Sequence, residues 1–244
     1  MEVRTVDDVN VMDLSKHTLR EIRKRADDRG IAITCVSSPI GKQPVSISPS
    51  LVVEQVEKAS EIAYMLGTEY IRIFSFFNEQ HMTIDEAIGL SAEKLSLMAD
   101  RAKRADTVLV MEGGHNTVGQ TGKISRQLFE AVNSVHLRCA FDGAAFIGAG
   151  EKPFTDCLPL LMPYIEYMHI KDAKFNSPRR VLPGKGDVEL EKILDAVRNK
   201  DLVLSLEPHL AYAGPNRGFS GEELFKQAHK ALMDILDRLN IPFV

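Results

Sequence analysis

Residues 107–142 read TVLVMEGGHNTVGQTGKISRQLFEAVNSVHLRCAFD. The stretch opens on TVLVME, whose apolar residues fall on both faces of an extended chain, and that run stops at Glu112. A turn through Gly113 and Gly114 leads into a segment of helical period, and LRCAFD then stops at Asp142. A strand that is apolar on both faces is one buried inside a parallel sheet. Outward from this stretch the same alternation continues. Apolar runs occupy Glu2–Thr5, Ile31–Ser37, Tyr70–Phe74, Thr107–Glu112, Leu137–Asp142, Ile165–Asp172 and Leu202–Glu207, with helical segments between them. Strand, helix and strand in succession imply right-handed crossovers, and hence an open doubly wound sheet or a closed barrel.

The helical segments carry their own punctuation. Thr83–Glu86 and Ser220–Glu223 have capping-box spacing. Gly30 and Gly67 stand where helix C-termini are expected. Val56, Ala59, Ile62, Ala63 and Leu66 form one apolar stripe, and Leu224, Ala228, Leu232, Ile235 and Leu239 form another. Such stripes are core-packing faces. The segment Lys174–Asp187 is the richest in loop residues and lies between a strand end and a helix, so it reads as a loop over an active face.

Composition bounds the function. A chain of 244 residues with 44% hydrophobic side chains can build one sizeable core, which excludes a disordered chain and a disulfide-stapled miniature. No low-complexity linker divides it, so residues 1–244 read as a single domain. Thirty basic and 34 acidic side chains leave a net charge of -4, which offers nothing to a nucleic acid or an anionic membrane surface. No run approaches the ~20 apolar residues of a membrane span, and the N-terminal sequence has no signal-peptide pattern. Cys35, Cys139 and Cys157 are odd in number and lack CxxC spacing, so they read as buried small hydrophobes in a reducing compartment. A cytoplasmic location is expected.

Chemistry gathers at the ends of the later runs. VLVMEGGHN ends on Glu112, LRCAFDGAA on Asp142, YIEYMHIKDA on His169, Lys171 and Asp172, and LVLSLEPHL on Glu207 and His209. Four successive strands deliver ligand-type side chains to one sheet edge, the C-terminal edge where α/β barrels build their sites. A carboxylate that ends an apolar strand is partly desolvated and must be paired or bound to a cation. Three carboxylates and one imidazole suit one divalent cation, Mn2+, Mg2+ or Co2+ first, with Zn2+ or Fe2+ also compatible.

The pieces LVMEGGHN, FDGAAF followed by GEKPF, YMHIKDAK, LPGKGDVELEKIL and LSLEPHL together span almost the whole chain. In this order the sequence resembles the xylose isomerase-like TIM-barrel superfamily of sugar-phosphate isomerases and epimerases. That resemblance implies a TIM-type (β/α) barrel. It implies that Glu112, Asp142, His169 and Glu207 are the four metal ligands, and that Glu112 and Glu207 are the catalytic pair on opposite sides of a small keto sugar or sugar phosphate. Chelation of carbonyl and hydroxyl oxygens stabilises an enediolate. One glutamate removes the proton beside the carbonyl. Its return to the opposite face gives epimerisation, and its return to the neighbouring carbon gives aldose–ketose isomerisation.

Other candidates have two readings each. Lys171 shares a strand face with His169 and could bind a substrate oxygen or pair with Asp172 or another acid. His115 and His209 could reach substrate or cap their loops. Arg72, inside YIRIF, pairs with neighbouring carboxylates in the floor or the site. Arg180, with Arg179, could grip a phosphate or hydroxyl, or remain a solvated loop charge. His81 is equally open.

Two departures from the family pattern stand out. Ketohexose 3-epimerases carry a histidine three residues after the aspartate ligand, where this chain has Ala145. Seven strands are recognisable rather than eight, the first strand and helix of the usual barrel being absent ahead of EVRTV. The gap would fall between that strand and the one carrying Glu207. A downstream start, an open barrel or a covering second subunit (a homodimer) would each account for it. Rival functions are a metal-dependent dehydratase of the inosose type and a sugar-binding barrel without turnover. A repair endonuclease would need a histidine-rich three-metal cluster and a basic groove, and the seven scattered histidines and negative charge argue against it.

Overall fold

Two-faced apolar runs pair with one another because only a neighbouring strand can satisfy their backbone groups in the interior. In the computed structural model, which describes residues 1–177, 179–211 and 220–243, seven of them form one sheet. They are β1 (Glu2–Val3), β2 (Cys35–Ser37), β3 (Tyr70–Ile73), β4 (Val108–Glu112), β5 (Leu137–Asp142), β6 (Ile165–Ile170) and β7 (Val203–Leu206). The sheet order follows chain order from β1 to β7, so β1 and β7 are the outer strands. Pairings are parallel, with registers such as Arg72↔Val110, Glu112↔Ala140 and Ser205↔His169.

The helices are α1 (Lys16–Asp27), α2 (Pro49–Leu66), α3 (Ile84–Arg104), α4 (Gly122–Val132), α5 (Gly143–Gly148), α6 (Leu158–Leu161), α7 (Leu190–Val197) and α8 (Gly221–Leu239). No helix among the described residues is long and apolar enough to cross a membrane.

The chain divides into two compact units. The first comprises residues 1–119 and 124–140. Its core is the inner face of α2, where the whole stripe Val56, Ala59, Ile62, Ala63 and Leu66 is buried, together with Leu95, Met98 and Ala102 of α3. Each fully buried Val, Leu or Met of this kind contributes ~1.5–3 kcal/mol. Thr83 and Glu86 form the complete capping box at the start of α3. Gly67 ends α2 at φ 70°, and a Cβ there would lie 1.7 Å from the Arg23 guanidinium, which itself bonds the Leu66 carbonyl. Only glycine fits.

The second unit comprises residues 120–123 and 141–244. Here β6 is buried except at Glu166, while every residue of β7 is only half-buried. In α8, Ala228, Leu232 and Ile235 are buried as the stripe predicts, and Leu224 and Leu239 at its ends are half-buried.

Three boundaries differ from the sequence expectation. The run Ile31–Ser37 yields a strand only over Cys35–Ser37, because its partner β1 offers two residues to pair with. The run Glu2–Thr5 breaks at Arg4, because Thr5–Val6 turns back onto Val9–Asn10 through Asp7 and Asp8, both at positive φ. The run Ile165–Asp172 breaks at Lys171, because Asp172–Ala173 pairs antiparallel with Arg180–Val181. The expected capping box at Ser220–Glu223 does not form. The Ser220 hydroxyl instead accepts from the Leu210 amide, and α8 begins without a side-chain cap.

Candidate metal and substrate site

In the first unit, Glu112 closes β4 with its side chain 6% exposed. Its carboxylate accepts from Arg72 Nη1 at 2.8 Å. Arg72 Nη2 donates to the Ser38 carbonyl at 3.1 Å, and the guanidinium lies 4.6 Å from the Phe74 ring centroid. The register explains the pair. Arg72 stands opposite Val110, and Glu112 lies two residues further along the same face. Elsewhere in the unit the buried Ser37 hydroxyl donates to the half-buried Glu2 carboxylate.

In the second unit, Asp142 uses its two oxygens differently. Oδ1 accepts from the amides of Ala144 and Ala145 and so caps α5, while Oδ2 accepts from Lys171 Nζ at 2.9 Å. Lys171 also forms an ion pair with Glu207. His169 is buried, its Nδ1 lies 3.9 Å from Glu207 Oε2, and the Tyr167 ring meets it edge-on. His209 Nε2 lies 3.9 Å from Glu207 Oε1. The ladder accounts for this cluster as well: Ser205 pairs with His169, and Glu207 follows Ser205 by two on the same face.

Asp172 is separate from this cluster. Its carboxylate accepts from the amides of Ala173, Gly186 and Val188, and so latches the loop from Lys174 to Asp187. Burial raises its carboxyl above the usual aspartate range, against the lowering effect of those amides. Gly186 is required there, since a Cβ would lie 2.1 Å from Asp172 Oδ1. All three cysteines are buried. Burial pushes the Cys139 thiol up to about 12, so it stays protonated.

Of the residues singled out from the sequence, Glu112 is buried in the first unit, and Asp142 and His169 are buried in the second. Glu207, Lys171 and His209 gather in the second unit as described. Arg72 serves Glu112, Arg180 lines a cavity near the end of α5, and His115 and His81 are exposed. The sequence reading did not find the cap that Asp142 places on α5, although an aspartate ending a strand just before Gly-Ala-Ala is an N-cap signal. Nor did it find the Asp172 latch.

The donor set, carboxylates and an imidazole, fits a divalent cation by the chemistry of its atoms. The first unit balances Glu112 with Arg72. In the second, Asp142 and Glu207 both pair with Lys171. A lysine between two carboxylates marks a place built to hold positive charge.

A sequence model of the xylose isomerase-like TIM barrel matches residues 1–235. The chain belongs to that family. Its fold is a TIM barrel with seven strands in the sheet. No curated protein sequence matches it. Among solved structures it is similar to D-psicose 3-epimerase in the presence of D-fructose, at 20% identity and TM-score 0.73, covering 94% of this chain and 86% of that one. It is similar to the probable 3-DHS dehydratase AsbF of Bacillus anthracis, at 18% identity and TM-score 0.70, covering 89% and 82%. It is also similar to the IOLI protein solved with a zinc atom, at 18% identity and TM-score 0.73, covering 98% and 88%. At these identities the likeness establishes the fold.

Proposed function

We propose that this chain is a divalent-metal-dependent isomerase or epimerase of a small keto sugar or sugar phosphate. The observation that carries the reading is the cluster of Asp142, His169, Lys171 and Glu207 at the strand ends, where two carboxylates pair with Lys171. Glu112, Asp142, His169 and Glu207 are the proposed ligands. The ion, when bound, supplies Lewis-acid polarisation of a carbonyl. Glu207 has hydrogen-bonding groups on both sides and a side chain 19% exposed, which suits a base that must reach substrate. Glu112, held by Arg72, is the second proton carrier. Lys171 and His209 bind substrate oxygens.

The second reading is a metal-dependent dehydratase. Lys171, an ammonium buried against two carboxylates, is positioned to protonate a departing hydroxyl. The two reactions differ in product mass. Ketoses, their phosphates and inososes, incubated in D2O with the protein and Mn2+, separate them. Deuterium entering the carbon beside the carbonyl at unchanged skeleton supports the isomerase, and loss of water supports the dehydratase. Stoichiometric metal on the native chain and less on Glu207→Gln is the accompanying expectation. A native chain that takes up no metal and exchanges no proton would overturn both and leave a sugar-binding barrel.

A further inference from the structure

A cavity of ≈ 320 Å³ opens in the second unit beside the C-terminal end of α5. That volume is within the range of small-ligand sites. Lys174, Asn176, Ser177 and Arg180 face it with donors, and Ile147 and Phe175 supply its apolar walls. None of the residues that line it is acidic. Neither Lys174 nor Arg180 has an ion-pair partner among the described residues. The loop that carries them is fastened. Ser177 N donates to the Lys174 carbonyl, Phe175 N donates to Asp187, and Arg180 pairs through its backbone with Ala173. Two cations against an apolar wall, on a loop held in place, form a site for an oxyanion.

Its place relative to Asp142 follows from the helix between them. Asp142 caps the N-terminus of α5, and Ile147 is at the other end of that six-residue helix. Six residues rise roughly 9 Å. A group seated in the cavity therefore lies about the length of a short linear sugar phosphate from Asp142. We infer that the cavity is the subsite for the acidic end of the substrate, a phosphate or a carboxylate. This rests on the proposed function and narrows it to anionic keto compounds over neutral sugars.

The test uses the full-length chain, inorganic phosphate as probe and 31P NMR. With chelator present, phosphate should broaden saturably with the native protein, and about tenfold more weakly with the double variant Lys174→Gln/Arg180→Gln. An unchanged melting temperature shows that the variant remains folded. With Mn2+ loaded, bound phosphate should relax faster in the native protein, reporting a metal within reach. Phosphate displaced by equimolar acetate would assign a carboxylate, and phosphate that resists acetate would assign a phosphate. No saturable binding, or equal binding to the double variant, overturns the subsite. Binding without paramagnetic relaxation, although Mn2+ is bound, severs it from the metal site and also overturns the inference. Failure of the native chain to bind Mn2+ counts against the proposed function alone, and the chelator arm still reads the cavity.

Discussion

The two compact units handle buried carboxylates in opposite ways. In the first, Glu112 has a guanidinium of its own, and that guanidinium is further held by the Ser38 carbonyl and the Phe74 ring. Charge is balanced and geometry is fixed on three sides. In the second, Asp142 and Glu207 share one ammonium, and one of the two Asp142 oxygens is already committed to a helix end. The same residue type therefore has two arrangements: a carboxylate with its own guanidinium, and a carboxylate pair that shares one ammonium.

The largest effect should come from breaking the balanced side. Arg72→Met leaves Glu112 buried without its guanidinium, and urea unfolding should show a loss of ~3–5 kcal/mol. Adding Glu112→Gln to that variant should recover a large part of it. If Mn2+ alone restored Arg72→Met to native stability, the contrast between the units would collapse. Lys171→Met tests the shared ammonium of the second unit. With chelator it should lose about 3 kcal/mol, and Mn2+ should raise its melting temperature by more than it raises that of the native chain. Equal metal-induced shifts in the two proteins would show that Lys171 does not occupy the cation position.

Smaller effects sharpen the picture of the loop beside the site. Gly186→Ala forces a methyl against Asp172 and should cost about 1–3 kcal/mol in thermal unfolding, with metal binding retained. The smallest effect concerns pH. Burial raises the Asp172 carboxyl in the folded chain, so the folded state holds its proton more tightly than the unfolded state. Its stabilising contribution is full below the ordinary aspartate value of 3.8 and is lost as pH rises through the raised one. The stability difference between the native chain and Asp172→Asn should therefore shrink as pH climbs from 4 to 7. A difference that widens over this range would mean that the three amides outweigh burial.

Much of the fold was legible because it rests on local pattern. Runs that are apolar on both faces gave all seven strands, and the Thr83 and Gly67 signals gave helix ends where they occur. What failed was decided by neighbours. A strand extends only as far as its partner, which shortened the run from Ile31, and Ser220 found the Leu210 amide before it could cap a helix. The candidate site divides in the same way. Carboxylates and an imidazole at apolar strand ends are visible in sequence because desolvation makes them expensive there. Their charge partners are not, since Arg72 meets Glu112 across 40 residues and Lys171 meets Asp142 across 29. The sequence by itself determined that carboxylates and an imidazole stand at or beside the ends of the apolar strands. Only the tertiary structure decided which carboxylate meets Arg72, which two share Lys171, and where two loop cations face an open cavity. The reason is physical. Periodicity and burial act along the chain, whereas charge compensation acts through space over a few ångströms, between groups that only strand register brings together.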